Sequence, residues 1–322
     1  MRLDIAAQTD IGRRKAKNED SCGVFLEGDP EIKLFQEGAL ACVADGLGGH
    51  AGGEIASKLA VSIIKEARVL KPPAENTDND DEVDESSVGP LPILRTAMHR
   101  ANESIFQTNQ DLLVAAKGSG DGKARPMGTT LLSAIIEPRK AYICNVGDSR
   151  CYHIRDGEII DMTEDHSWVD EQVKLGLMSK AEAETDRRKN IVTRCIGTHE
   201  EIEVDAYLWH IVPGDQLLLC TDGLVNMVPD KDIVAEFRRS ATSAEIAQRL
   251  VSMANENGGK DNITVVVAHI SPSPMRHLFL QIRALFRRGG ITPKRALLLL
   301  IYGLICGGIG YALQLVFPLV AQ

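Results

Sequence analysis

Apolar residues recur at helical spacing in two stretches, GEIASKLAVSIIKEARVL from Gly53 and PILRTAMHRANESIFQTNQDLLV from Pro92, and each predicts an amphipathic helix. Between them, residues 71–92 (KPPAENTDNDDEVDESSVGPLP) carry prolines and acidic residues with no hydrophobic period, so they predict an exposed loop insertion joining the two helices. Further along, the period shortens. GTTLLSAII opens a strand, KAYICNVGDSRCYHIRDGEIIDM reads as strands turning at Arg155, Asp156 and Gly157, and EIEVDAYLWHI, DQLLLC and ITVVVAHI supply more. SWVDEQVKLGL and SKAEAETD read as short helices, the second with Ser179 as N-cap and Glu182 completing a capping box. Helices from Asp230 to Arg239 and from Ser243 to Asn255 precede the final strand. Strands early and late with helix pairs between them predict an α+β domain whose helices cover packed antiparallel sheets.

The last part of the chain has another pattern. Ala296 to Phe317 is an uncharged apolar run of the length that spans a bilayer, and predicts a transmembrane helix over 296–317. Arg283, Arg287, Arg288, Lys294 and Arg295 lie just before it, and the positive-inside tendency then puts the large N-terminal part in the cytoplasm, tethered to a membrane by a single C-terminal pass. A buried core helix is the competing reading; Gly307, Gly308 and Gly310 fit it less well, and the Gly303 to Gly307 spacing permits pairing in lipid. The basic segment 271–295 begins with SPSP, a compositional boundary, and reads either as a helix lying on an anionic membrane surface or as a plain linker.

A length of 322 residues with 44% hydrophobic content supports a sizeable core and excludes a disordered chain. The net charge of -9 excludes a nucleic-acid binder working by broad phosphate attraction and points to divalent cations as partners of acidic clusters. The seven cysteines, among them Cys22, Cys195 and Cys306, are scattered without a CxxC pair and read as reduced thiols rather than a disulfide framework or zinc site. The N-terminus has no apolar run of the signal-peptide kind.

Candidate chemistry sits at aspartates that follow or separate strands beside glycine or a small polar residue: VADG at Asp45, NVGDSR at Asp148, CTDG at Asp222 and GKDN at Asp261. Any one alone reads as a turn aspartate. Together, and with Glu19 and Asp20 in KNEDS, they read as ligands of a hard divalent cation, because a carboxylate at a buried strand end needs a partner. Mg2+ or Mn2+ takes few carboxylates and several waters, and paired ions need one shared carboxylate, for which Asp45 is the candidate, with the Gly46 carbonyl as a further ligand. The basic run RRKAK, residues 13–17, stands just before Glu19 and supplies a cation for phosphate. Such a centre activates water near neutral pH and suits hydrolysis of a phosphate ester.

TDIGRRKAKNEDS, VADGLGGHAGGEIAS, GTTLL, NVGDSRCY, TEDHS, LLLCTDGL and GGKDNITVVV, in this order from about residue 3 to 270, resemble the bacterial type 2C metal-dependent Ser/Thr protein phosphatases. The resemblance implies a phosphatase domain over 1–270 with an αββα sandwich and a binuclear Mn2+/Mg2+ centre that hydrolyses phosphoserine and phosphothreonine in proteins, its partners being the substrates of a Ser/Thr kinase. It implies Asp45 as bridging ligand, Gly46 as carbonyl ligand, Asp222 and Asp261 as carboxylates of one metal, Glu19 as ligand of the other, usually through water, and Asp20 as its neighbour. Asp148 is similar to the aspartate that, with Asp222, holds a third, weaker ion, and 166–197 corresponds to a mobile flap. Two positions depart from the family pattern. The usual phosphate-binding arginine is Lys15, and the proton-donating histidine of eukaryotic members is Leu47, with His50 displaced by three positions and read as structural. A phosphatase of small phosphate esters and a catalytically silent membrane-bound module are the competing functional expectations.

Overall fold

The computed structural model describes residues 2–26, 38–48, 51–67, 89–119, 126–239 and 241–271. Residues 1–271 form one compact unit and 272–322 a second, which lies outside the described residues, as do the greater part of the acidic insertion, His50 and the span 296–317. Among the described residues no helix is long and apolar enough to cross a membrane.

Twelve strands and seven helices follow in the order β1 (Arg2–Asp10), β2 (Ser21–Leu26), β3 (Ala39–Ala44), β4 (Gly46–Leu47), α1 (Ala51–Ala67), α2 (Leu91–Ser119), β5 (Gly128–Thr129), β6 (Leu131–Ile136), β7 (Lys140–Val146), β8 (Arg150–Arg155), β9 (Glu158–Met162), α3 (Trp168–Lys174), α4 (Lys180–Thr185), β10 (Asp205–His210), β11 (Gln216–Cys220), α5 (Asp222–Val225), α6 (Asp230–Phe237), α7 (Ser243–Glu256) and β12 (Ile263–Ser271) among the described residues. Two five-stranded antiparallel sheets result, ordered β1-β12-β11-β8-β9 and β10-β7-β6-β3-β2, with a small third sheet of β4 and β5.

Alternation along the strands builds the layers. In β3, Leu40, Cys42 and Ala44 join α1 and α2 in one core, whereas Ala41 and Val43 face the other sheet beside Leu132, Leu219 and Val266. The other sheet turns Tyr152, Leu218, Val265 and Val267 outward against α6 and α7. A strand covered on both faces has no polar side to show, which is why β3 reads as a continuous apolar run and β6 and β11 depart from one only at the buried Ser133 and Gln216. The result is the helix, sheet, sheet, helix stack expected from the sequence.

The capping box at Ser179 and Glu182 forms, and Thr242 with Glu245 makes another. Two local expectations need correction. The strand expected from Glu201 starts at Asp205, where pairing with β7 begins. The helix expected to Arg239 ends at Phe237. Asp222 of CTDG opens the one-turn helix α5. The six described cysteines are free thiols.

Candidate metal centre

The antiparallel register brings the acidic residues to one end of the sandwich. Asp20 immediately precedes β2 and Asp45 immediately follows β3, and these strands pair with Ser21 opposite Ala44. In the other sheet Asp222 lies just beyond the end of β11 and Asp261 just before β12, strands that pair with Cys220 opposite Val265. Asp148 lies in the turn between β7 and β8.

Hydroxyls and amides fix this end of the molecule. Thr130 holds Asp45 twice: its N–H donates to the Asp45 carbonyl at 2.9 Å while its Oγ1 accepts from the Asp45 N–H at 2.9 Å. Thr129 Oγ1 donates to the same carbonyl at 2.8 Å, and Thr221 Oγ1 donates to Asp20 Oδ2 at 2.9 Å. Asn262 ties the basic run to the site. Its Oδ1 accepts from the Glu19 N–H at 2.8 Å, and its Nδ2 donates to the carbonyls of Ile11 and Lys17, both at 2.9 Å. This staple sets Lys15 beside Asp261, with which its ammonium forms an ion pair.

The glycines after Asp45 bring backbone against backbone. A Cβ on Gly46 would fall inside the carbonyl of Gly53 and the carbonyl oxygen of Glu19, and one on Gly53 would stand 2.8 Å from the Gly46 carbonyl. Gly46→Ala is therefore expected to cost about 1–3 kcal/mol by overpacking and to displace the Gly46 carbonyl, measured as a lower melting temperature and weaker Mn2+ binding. A variant with unchanged Mn2+ affinity would remove Gly46 from the centre.

The electrostatics of the cluster are unfavourable for bare carboxylates. Burial first, and then Asp20, Asp222, Asp148 and Asp261, push the Asp45 carboxyl well above its ordinary range. Burial likewise raises Asp20 to about 7 against its threonine hydrogen bonds, and raises Asp222 to about 6, with the Asp261 charge adding to the effect. Asp148 is pushed well up by burial and by Asp222. Asp222 Oδ2 accepts from Asn226 Nδ2 at 3.0 Å and its Oδ1 has no partner, so a cation would meet a buried oxygen that nothing else satisfies. For Lys15, burial lowers the ammonium, but Asp261, Asp45 and Glu19 outweigh it and hold it above its ordinary value.

These residues fit a hard divalent cation. Asp20 Oδ1 and Asp222 Oδ1 are buried without a hydrogen-bond partner, and every candidate donor is oxygen. Among the described residues no three His, Cys, Asp or Glu side chains close on one point.

Each described candidate is thus placed at this end: Lys15, Glu19, Asp20, Asp45, Gly46, Asp148, Asp222 and Asp261. Leu47 pairs with Gly128 in the small sheet and carries no titratable group. Thr129, Thr130, Thr221 and Asn262 escaped the sequence reading as contributors, although Asn262 stands inside GKDN and Thr129 and Thr130 inside GTTLL.

A family model described as Protein phosphatase 2C matches residues 11–264, a stretch that contains every one of these candidates. The chain belongs to the protein phosphatase 2C family. Serine/threonine phosphatase stp of Listeria innocua is 34% identical over 264 residues, 81% of this chain and 93% of that protein. Among solved structures, the S. agalactiae serine/threonine phosphatase superposes on this phosphatase 2C chain with a TM-score of 0.67 at 31% identity, covering 84% of this chain and 100% of that one. The catalytic domain of PstP in complex with two manganese ions superposes with a TM-score of 0.63 at 31% identity, covering 84% and 99%.

Proposed function

We propose that this phosphatase 2C protein hydrolyses phosphoserine and phosphothreonine in proteins at a Mn2+ or Mg2+ centre held by Glu19, Asp45, the Gly46 carbonyl, Asp222 and Asp261, with Asp20 and Asp148 beside them. The observation that carries this reading is the pair of buried, unpartnered carboxylate oxygens, Asp20 Oδ1 and Asp222 Oδ1, at the end of the sandwich where Asp45 and Asp261 also stand, with Lys15 paired to Asp261 at the rim. The two manganese ions of the PstP structure support the choice of metal. When bound, the metals supply an activated water and charge for the transferring phosphoryl group.

The chain's own residues do the rest. Thr129 and Thr130 hold the Asp45 backbone by its carbonyl and its N–H. Asn262 holds the loop from Ile11 to Glu19 so that the Lys15 ammonium sits on the centre's edge, where a phosphate oxygen can replace Asp261 as its partner. Lysine offers a point charge without the two-pronged geometry of arginine. Leu47 has no proton to give the departing seryl oxygen.

Lys15→Ala is expected to raise KM for a phosphopeptide about tenfold and to leave kcat within about threefold. Lys15→Arg is expected to lower KM instead. An equal loss confined to kcat would assign Lys15 to the chemical step.

The run 296–317 and the arginines before it support a membrane tether with the catalytic domain on the cytoplasmic side, and substrates drawn from those of a Ser/Thr kinase. Comparing a phosphoprotein, a small phosphate ester and EDTA-treated protein tests the whole reading: metal-dependent turnover of the phosphoprotein above the small ester supports it, and metal-independent turnover or none overturns it.

A further inference from the structure

Helix α2 buries two asparagines, Asn102 and Asn109, two turns apart on one face. Neither touches a candidate metal ligand. Each spends its whole amide on loop backbone. Asn102 Nδ2 donates to the carbonyls of His199 and Glu200, both at 2.9 Å, while its Oδ1 accepts from the Gly197 N–H at 2.7 Å. Asn109 Nδ2 donates to the carbonyls of Met127 at 2.7 Å and Gly197 at 2.8 Å, and its Oδ1 accepts from the Met127 N–H at 2.9 Å.

Gly197 is therefore gripped by its N–H from one asparagine and by its carbonyl from the other. Its φ of 94° is in the left-handed region, and a Cβ there would strike Ile105, which lies between the asparagines on the same helix. The grip passes onward through short backbone steps. Ile196 exchanges two hydrogen bonds with Thr129, at 2.8 and 3.1 Å. Thr129 stands opposite Gly46 and Gly128 opposite Leu47 in the small sheet of β4 and β5, and Thr129 Oγ1 holds the Asp45 carbonyl. Asn109 thus clamps both Met127, next to β5, and Gly197, next to the residue on β5's other side.

A strand pair of two residues a side cannot hold its own register. We infer that Asn109, assisted by Asn102, is a positioning residue: α2 fixes the small sheet through Met127 and Gly197, and so fixes where the Gly46 carbonyl and the Asp45 backbone stand. The metal part of this inference rests on the reading given above; the coupling from α2 to residues 44–48 does not.

A core asparagine that merely satisfies a loop would, on removal, lower stability without a directed effect. The test uses full-length Asn109→Leu, with Leu250→Ala in α7, a buried residue of the core on the other sheet, as a comparison of similar or greater loss in melting temperature. Hydrogen exchange of peptides spanning residues 44–48 is measured in EDTA, and Mn2+ affinity by calorimetry. Asn109→Leu is expected to speed exchange at 44–48 by about tenfold and to weaken Mn2+ binding by about tenfold, with neither change in Leu250→Ala. Unchanged exchange at 44–48 in Asn109→Leu, or an equal rise in Leu250→Ala, overturns the inference. Asn102→Ser takes the place of Asn109→Leu if the latter does not fold, with the same expected direction. A wild-type protein that binds no Mn2+ would refute the metal reading, while the exchange result still decides the positioning role.

Discussion

Asp45→Asn is expected to cut Mn2+-dependent phosphopeptide hydrolysis by more than about a thousandfold and, in the same protein, to raise the melting temperature measured in EDTA. The two effects have one origin. Asp45 is the carboxyl most crowded by others, and burial together with Asp20, Asp222, Asp148 and Asp261 opposes its charge. An amide of nearly the same shape removes that opposition, so the metal-free fold gains stability and melts higher. The same exchange removes the negative charge a shared cation needs, and loss of electrostatic stabilisation on this scale is worth about 4 kcal/mol or more in the transition state. Asp222→Asn is expected to behave alike, since burial and the Asp261 charge oppose its carboxylate too. Activity within tenfold of wild type in both variants, or a lower melting temperature in EDTA for both, would contradict the assignment.

The metal-free protein is expected to lose stability as pH rises from about 5 to about 8, and Mn2+ to restore most at the upper end. Asp20 is raised to about 7 and Asp222 to about 6 from 3.8, in each case chiefly by burial. Across the interval between unfolded and folded values the native state holds protons that the unfolded state has released. Stability therefore falls with rising pH through that window, by several kcal/mol in order of magnitude for shifts of this size. Asp205 and Asp215, whose carboxyls are depressed, act in the opposite sense: their contribution is lost only as pH falls below the ordinary aspartate range, outside this window. Melting curves at about pH 5 and pH 8, with EDTA and with saturating Mn2+, give the answer. A metal-free protein that melts higher at pH 8 than at pH 5 would show that these acids are not confined as described.

Much of this arrangement can be read from residue patterns, and the reason is local. The strands β3 and β11 are buried on both faces, and their runs lead into Asp45 before a glycine and Asp222 after a threonine, so strand and acidic residue announce themselves together. The capping box at Ser179 is a short-range signal and survives into the fold unchanged. What escaped depends on partners far away in the chain. Asn262 acts on Ile11, Lys17 and Glu19, and Asn109 on Met127 and Gly197; within its own segment each is an ordinary polar residue. The two-residue strands β4 and β5 have no periodicity to detect, since neither is long enough to alternate. For α5, the apolar DQLLLC run masks a single turn that starts at the site itself.

The pairing of β1 with β12, Arg2 opposite Ser271 and Asp10 opposite Ile263, joins the first strand to the last. Asp261 and Asn262 lie just before that last strand, and Lys15 and Glu19 come just after the first. During synthesis, then, Lys15 and the acidic residues beside the early strands emerge before Asp261 and Asn262 exist. The cluster at this end of the sandwich is complete only when the final strand closes the sheet, so its assembly waits on the longest-range pairing in the domain.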